Sequence, residues 1–168
     1  RELAMLGKTI SHYQITSQLE DAAFASHLAN RFELSDSTAS GLSYFDATSS
    51  ASLSYIKEEQ TAQYSDPTKI PAVRTRPEMN VADSQARSFL QRLGYPSTLQ
   101  LAETEYLVFE GTHFETSLPE QAEVLLLRFV VLINSVPVEI LGQPSELEVY
   151  VSSEGVFKAN LPTLLLTL

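Results

Sequence analysis

The sequence contains no cysteine, which excludes disulfides, thiolate nucleophiles and cysteine-ligated zinc. It has no tryptophan and only 6 glycines, widely spread. No complete glycine-rich loop of the kind whose backbone amides cradle phosphate occurs. No serine stands in a Gly-x-Ser-x-Gly nucleophile elbow. No apolar run approaches the ~20 residues that a transmembrane helix needs. Basic residues are also scarce: Lys and Arg number 11 against 21 Asp and Glu, for a formal net charge of −10. A surface this acidic, with no basic cluster to offset it, repels phosphate backbones, so nucleic acid is not an expected partner. The three histidines, His12, His27 and His113, lie in different segments, and none has a histidine two or four residues away. A metal site would therefore need a tertiary coincidence. These patterns assign no catalytic residue, no cofactor and no metal ligand.

What is present is the material of a core. Of 168 residues, 43% are hydrophobic, enough for one domain or two small ones. The charged fraction of 19% argues against a disordered polyampholyte. Residues 1–80 carry 10 acids and 7 bases, and residues 81–168 carry 11 acids and 4 bases, so the negative charge concentrates in the second half. The chain starts at Arg1 rather than Met and ends on the apolar stretch 161–168. It is expected to be a piece of a longer protein, in an oligomeric state left open.

Residues 1–17 read as a mixed lead-in. The spacing of Leu19, Ala22, Ala23, Ala25, Leu28 and Phe32 predicts a helix over 19–32, with Ser17 as N-cap and Glu20 in the capping-box position. Residues 35–41 read as a polar connection. Strand-like segments follow at 42–47, 51–57 and 61–65. Residues 67–80, with Pro67, Pro71 and Pro77, read as a linker between units at 1–66 and 81–168. A second helix is predicted to run to Leu93, capped by Asn80 or Asp83 and stopped by Gly94 and Pro96. Its apolar face is Val81, Ala82, Ala86, Phe89, Leu90 and Leu93. Strands are expected at 99–109, 123–133 and 136–141, with a loop over 110–120. A hairpin is expected from 147–151 and 155–160. Residues 21–28 overlie 83–90 at an offset of 62, and helix-then-meander recurs, so a tandem duplication is expected. The predicted fold is α+β, two units each with one helix on its own antiparallel sheet.

Three segments carry a resemblance to a known family. They are 83–94 (Asp-Ser-Gln-Ala-Arg-Ser-Phe-Leu-Gln-Arg-Leu-Gly), the strand and turn at 127–138 ending in Val-Pro-Val, and the hairpin 147–156 closing on Gly155. An alanine-faced helix followed by such a sheet resembles the PepSY family and its relatives, including the YycH/YycI-type extracytoplasmic regulators of a bacterial sensor kinase. The resemblance implies an envelope-facing domain behind an N-terminal membrane anchor. It also implies regulatory or inhibitory binding, with no catalytic residues to carry over.

Four carboxylates and one cation invite a closer reading. Glu103 and Glu105, and likewise Glu146 and Glu148, are two apart, so a strand puts each pair on one face. Paired carboxylates serve glycosidases, but such pairs are more often a solvated face. Arg128 is a lone base in an apolar strand, expected at a sheet edge or paired with Glu103, Glu105 or Glu148. Tyr44, Phe45, Tyr55 and Tyr64 would line a groove or, more simply, pack beneath a helix. The reading that follows is a non-catalytic extracytoplasmic binding or regulatory domain of a membrane-anchored bacterial protein, with a protein or peptide partner. The alternatives are a glycan-acting hydrolase and a peptidase-inhibitor-like domain.

Overall fold

A computed structural model describes residues 21–38, 40–70, 75–111, 113–133, 136–137 and 146–162. The first described element is helix α1 (Asp21–Arg31). It is followed by strands β1 (Asp36–Ser37), β2 (Ser43–Phe45), β3 (Ser52–Ile56) and β4 (Thr61–Ser65), then a 3-10 turn at Pro67–Lys69. Helix α2 (Met79–Arg92) comes next. Strands β5 (Leu99–Glu110), β6 (His113–Thr116), β7 (Val124–Ile133), β8 (Val136–Pro137), β9 (Glu146–Ser152) and β10 (Gly155–Pro162) complete the order.

Nine of these strands form one antiparallel sheet in the order β1-β2-β3-β4-β10-β9-β7-β5-β6, and β8 pairs with β7 off this path. This overturns the expected pair of helix-plus-sheet units. The join is β4 against β10, in register from Ser65 opposite Lys158 to Thr61 opposite Pro162. The physical reason is edge removal. Two separate sheets would leave β4 and β10 as edges with unpaired backbone groups, and pairing them satisfies both.

Cross-strand partners share a face, so the register identifies what each side of the sheet presents. Leu53 opposes Tyr64, Tyr64 opposes Ala159, Ala159 opposes Val149, and Val149 opposes Leu127. All five are buried and belong to one core that also contains the inward residues of both helices. The two helices thus lie on the same side of the same sheet. Their C-terminal ends meet, where the Phe32 and Phe89 rings approach to 5.4 Å and Arg31 Nη1 donates to the Arg92 carbonyl at 3.0 Å.

The helix faces differ from expectation in instructive places. In α1 the buried residues are Phe24, Ala25, Leu28 and Ala29, whereas Ala22 and Ala23 are exposed. The ring of Phe24 sets the stripe by packing on Tyr55 at 6.0 Å. Leu19, Ser17 and Glu20 lie outside the described residues. In α2, Ala82, Ala86, Phe89, Leu90 and Leu93 are buried as read, but Val81 is 48% exposed. The N-cap is Glu78 rather than Asn80 or Asp83, and it makes no side-chain cap bond. Asp83 instead pairs with Arg87 one turn on, at 2.9 Å. Gly94 has φ +97, the left-handed stop expected of it. Two strands fall where connections were expected: β1 within 35–41 and β6 within 110–120.

Beyond α2, Tyr95 is buried and its hydroxyl donates to the Pro162 carbonyl at 3.0 Å, tying the end of this helix to the end of β10. Burial pushes its pKa well above the ordinary tyrosine value, and Tyr64 is pushed up to about 12, by burial first and then by Asp66. Both groups hold their protons more tightly folded than unfolded. Their stabilisation is complete below about pH 10, the unfolded tyrosine value, and is lost as pH rises through the folded pKa. Urea unfolding as a function of pH should therefore show stability falling from pH 10 to 12. Tyr95→Phe should lose about 1–3 kcal/mol at pH 7, because the Pro162 carbonyl is left without its donor. It should also show a shallower alkaline decline than the wild type.

Candidate functional site: an acidic patch on the sheet face opposite the described helices

Two β-bulges shape the face that neither described helix covers. In β5 the register against β7 shifts between Leu101 and Glu103. Leu99 and Leu101 therefore face the helices, while Glu103, Glu105 and Leu107 turn to the other side. In β10 a shift between Val156 and Lys158 lets Val156 join the helix-side core and turns Phe157 away from it. A bulge adds one residue to one strand and so reverses the alternation beyond it.

A polar row crosses this face in register: Ser54, Gln63, Asn160, Glu148, Arg128 and Glu103. Arg128 sits on β7 between Glu103 of β5 and Glu148 of β9, with Glu105 and Glu146 on the diagonals. Its Nη1 donates to Glu103 at 2.9 Å and also to Glu105, and its Nε donates to Glu148 at 3.1 Å. Glu146 lies 4.0 Å from Nε. The Arg128 side chain is 18% exposed, against 59% for Glu103 and 50% for Glu146. The cation is thus a clasp beneath a more exposed ring of carboxylates. The hydrogen bond with Glu105 leads in raising its pKa further above the ordinary arginine value, with Glu148 and Glu103 adding to it, against desolvation. Asn160 Nδ2 donates to Glu148 at 2.7 Å, and Asn160 Oδ1 is buried without a hydrogen-bond partner among the described residues.

Of the partners expected for Arg128, Glu103, Glu105 and Glu148 all meet it, within the sheet rather than at its edge. The two carboxylate pairs, read separately, come together around that one guanidinium. Four carboxylates and one cation leave a local charge of −3.

An aromatic cluster adjoins the charges on the same face. Phe114 packs against Phe109 at 5.2 Å, Phe157 at 5.7 Å and Tyr150 at 6.0 Å. Leu107, Val124, Leu126 and Phe157 are buried beneath it. Lys158 Nζ stands 4.8 Å over the Tyr150 ring. Tyr150 itself has a raised pKa, from burial first and then from Glu148. Phe114 lies on β6, inside the segment read as a loop, so this cluster had no signature that spacing could reveal.

The remaining candidates fall elsewhere. Tyr55 and Tyr64 pack under the helices, as the simpler reading had it, while Phe45 is 41% exposed. His27 lies on α1, and His113 on β6 bonds Glu115 at 2.8 Å. His12 is outside the described residues. Among the described residues no group of three His, Asp or Glu is arranged to hold a metal ion, and no helix is long and apolar enough to cross a membrane. The tripeptide Gly7-Lys8-Thr9 also lies outside them, and it has Glu2 where a complete phosphate loop of the G-x-x-x-x-G-K-[Ser/Thr] kind needs glycine.

Arg128→Met removes the cation to which three of these carboxylates bond while keeping an apolar stem over the sheet. The variant should unfold with a loss of about 1–3 kcal/mol, less than for a fully buried pair because the ring is part-exposed. Added salt should return part of that loss by screening the carboxylates from one another. Urea curves at low and high NaCl check both. A loss that does not depend on salt would assign the effect to packing instead. Compared with protein-family models, with curated proteins and with solved structures, the chain matches none.

Proposed function

We propose that this chain is a non-catalytic binding domain whose sheet face opposite the two described helices engages a basic segment of a protein or peptide partner. The observation that carries the reading is the Glu103, Glu105, Glu146 and Glu148 ring around Arg128 beside the Phe114–Tyr150 aromatic cluster. Charges on an exposed face steer a complementary partner and set its register, and adjacent aromatics supply the contact area. The uneven charge of the chain points the same way, since the half that builds this face carries 11 acids and 4 bases.

A glycan-acting hydrolase is the competing reading. It needs one carboxyl as proton donor and a second across the scissile bond. Here Arg128 donates to three of the four carboxylates, which uses them as acceptors. That favours binding over hydrolysis. The resemblance of 83–94, 127–138 and 147–156 to PepSY-like domains supports a regulatory role on an envelope-facing protein, and a peptidase-inhibitor-like role would use the same kind of surface.

The test is a titration of the isotope-labelled chain with a lysine-rich peptide carrying one or two aromatic residues, followed by amide NMR. Saturable shifts should map to β5, β7 and β9 around Arg128 and weaken as salt rises. Glu103→Gln with Glu146→Gln should lower affinity about tenfold, two opposite-charge contacts at about 0.7 kcal/mol each being what exposed sites give. Shifts confined to the helix side, or binding unchanged in the double variant, would remove the proposal.

A further inference from the structure

On the helix side a cleft of about 280 Å³ opens where α1 and α2 end beside β4. The chain has only 11 basic residues against 21 acids, yet Arg31, Lys69 and Arg92 all line this cleft. Asp46, Asp66 and Glu33 line it as well, so what decides its character is which charges are already used.

The two aspartates are used. Asp46 accepts from the Thr48 amide at 2.9 Å, the Ser49 amide at 3.2 Å and the Ser49 hydroxyl at 2.6 Å. These bonds, the Ser49 hydroxyl first, hold its pKa below the ordinary carboxylate value. Asp66 accepts from the Thr68 hydroxyl at 2.6 Å and amide at 3.2 Å, and from Tyr64 at 3.4 Å, and pairs with Lys69 at 3.3 Å. Lys69 is thereby used too.

Among the described residues the two arginines are largely unspent. Arg31 gives one Nη1 hydrogen bond, to the Arg92 carbonyl. The Arg92 guanidinium lies 6.0 Å over the Phe32 ring, which is itself stacked on Tyr64 at 4.3 Å and 10°. Its charge also reaches the Tyr64 hydroxyl, acting to lower that group's pKa against burial. Two arginines lining one cleft together with a stacked aromatic pair offer the forked donors that recognise planar or tetrahedral oxyanions. The volume sits just below the range of about 300–1,000 Å³ typical of small-molecule pockets, so the occupant is small.

We propose that this cleft binds a compact oxyanion, a carboxylate or phosphate group of a small solute, held by Arg31 and Arg92. Glu33, exposed on the turn after α1 with φ +60, opposes binding at the rim and limits affinity. The site lies on the other side of the sheet from the acidic patch and does not depend on the partner proposed there.

The experiment is an amide NMR titration of the whole chain with inorganic phosphate, and separately with citrate, at ionic strength held constant with NaCl. Saturable one-to-one shifts around Phe32, Tyr64 and Arg92 from either anion are expected. Arg31→Gln and Arg92→Gln should each weaken binding at least tenfold, and Glu33→Gln should tighten it. Arg76→Gln, a basic residue near Tyr106 outside the cleft, should leave it unchanged. Both arginines are exposed, so these variants should fold, which circular dichroism checks. Shifts that rise without saturating for both anions, or Arg31→Gln and Arg92→Gln that bind like the wild type, would overturn the site.

Discussion

The pairing of β4 with β10 is the contact on which the rest of this architecture depends. It joins a strand from the first half of the chain to the last described strand, five residues on each side in antiparallel register. Its immediate effect is to remove two exposed edges. Its larger effect is to make one sheet, and so one core. Leu53 and Leu127 come to share a face across three intervening strands, and α1 and α2 must then lie side by side on it. The helix-end contacts, Phe32 on Phe89 and Arg31 on the Arg92 carbonyl, follow from that placement, and the cationic cleft is a consequence of it.

A sheet with both described helices on one side has two unlike faces. The helix side is a continuous apolar layer that includes Leu53, Leu127, Phe129 and Leu147, all fully buried. The other side carries a polar row with Arg128 one place from its β5 end, and an aromatic cluster beside the charged part of that row. Placing a guanidinium in a central strand would cost several kcal/mol if it were unpaired. The carboxylates of the two flanking strands offset that cost, and because they outnumber the cation they leave the face negative. The charge pattern therefore has a structural origin and a binding consequence at once: the clasp orders the ring, and the surplus charge selects what approaches it.

Much of this was legible residue by residue, and what was not legible was long-range. The apolar spacing from Val81 to Leu93 and the apolar run within 123–133 point to α2 and β7, and Gly94 stops the helix where its type requires. The pairing of Arg128 follows from the cost of a lone charge in an apolar strand. The β4–β10 join has no local signature, because strand alternation says which face a residue takes but not which strand lies next to it. Two helix-then-strand runs look, residue by residue, the same whether they build one sheet or two. The bulges at Leu101/Glu103 and Val156/Lys158 were also invisible. Simple alternation puts Leu99 and Glu103 on one face, whereas the extra residue separates them, and that separation is what turns Glu103 and Glu105 toward Arg128. The burial of Phe24 in place of Ala22 and Ala23 is the same lesson at smaller scale: one large ring outweighs two methyl groups in setting a helix's rotation.

The join can be tested through a pair of cysteines, since the native chain has none. Ser65 and Lys158 are directly opposed across β4 and β10, and opposed residues of an antiparallel pair have Cα atoms about 4.5–5.5 Å apart, within the span a disulfide bridges. Ser65→Cys with Lys158→Cys should form an intramolecular disulfide rapidly under mild oxidation of the folded protein, detected as a loss of two mass units without dimerisation. Two thiols that stay free in the native state, and pair only once the chain is unfolded, would mean that the halves build separate sheets.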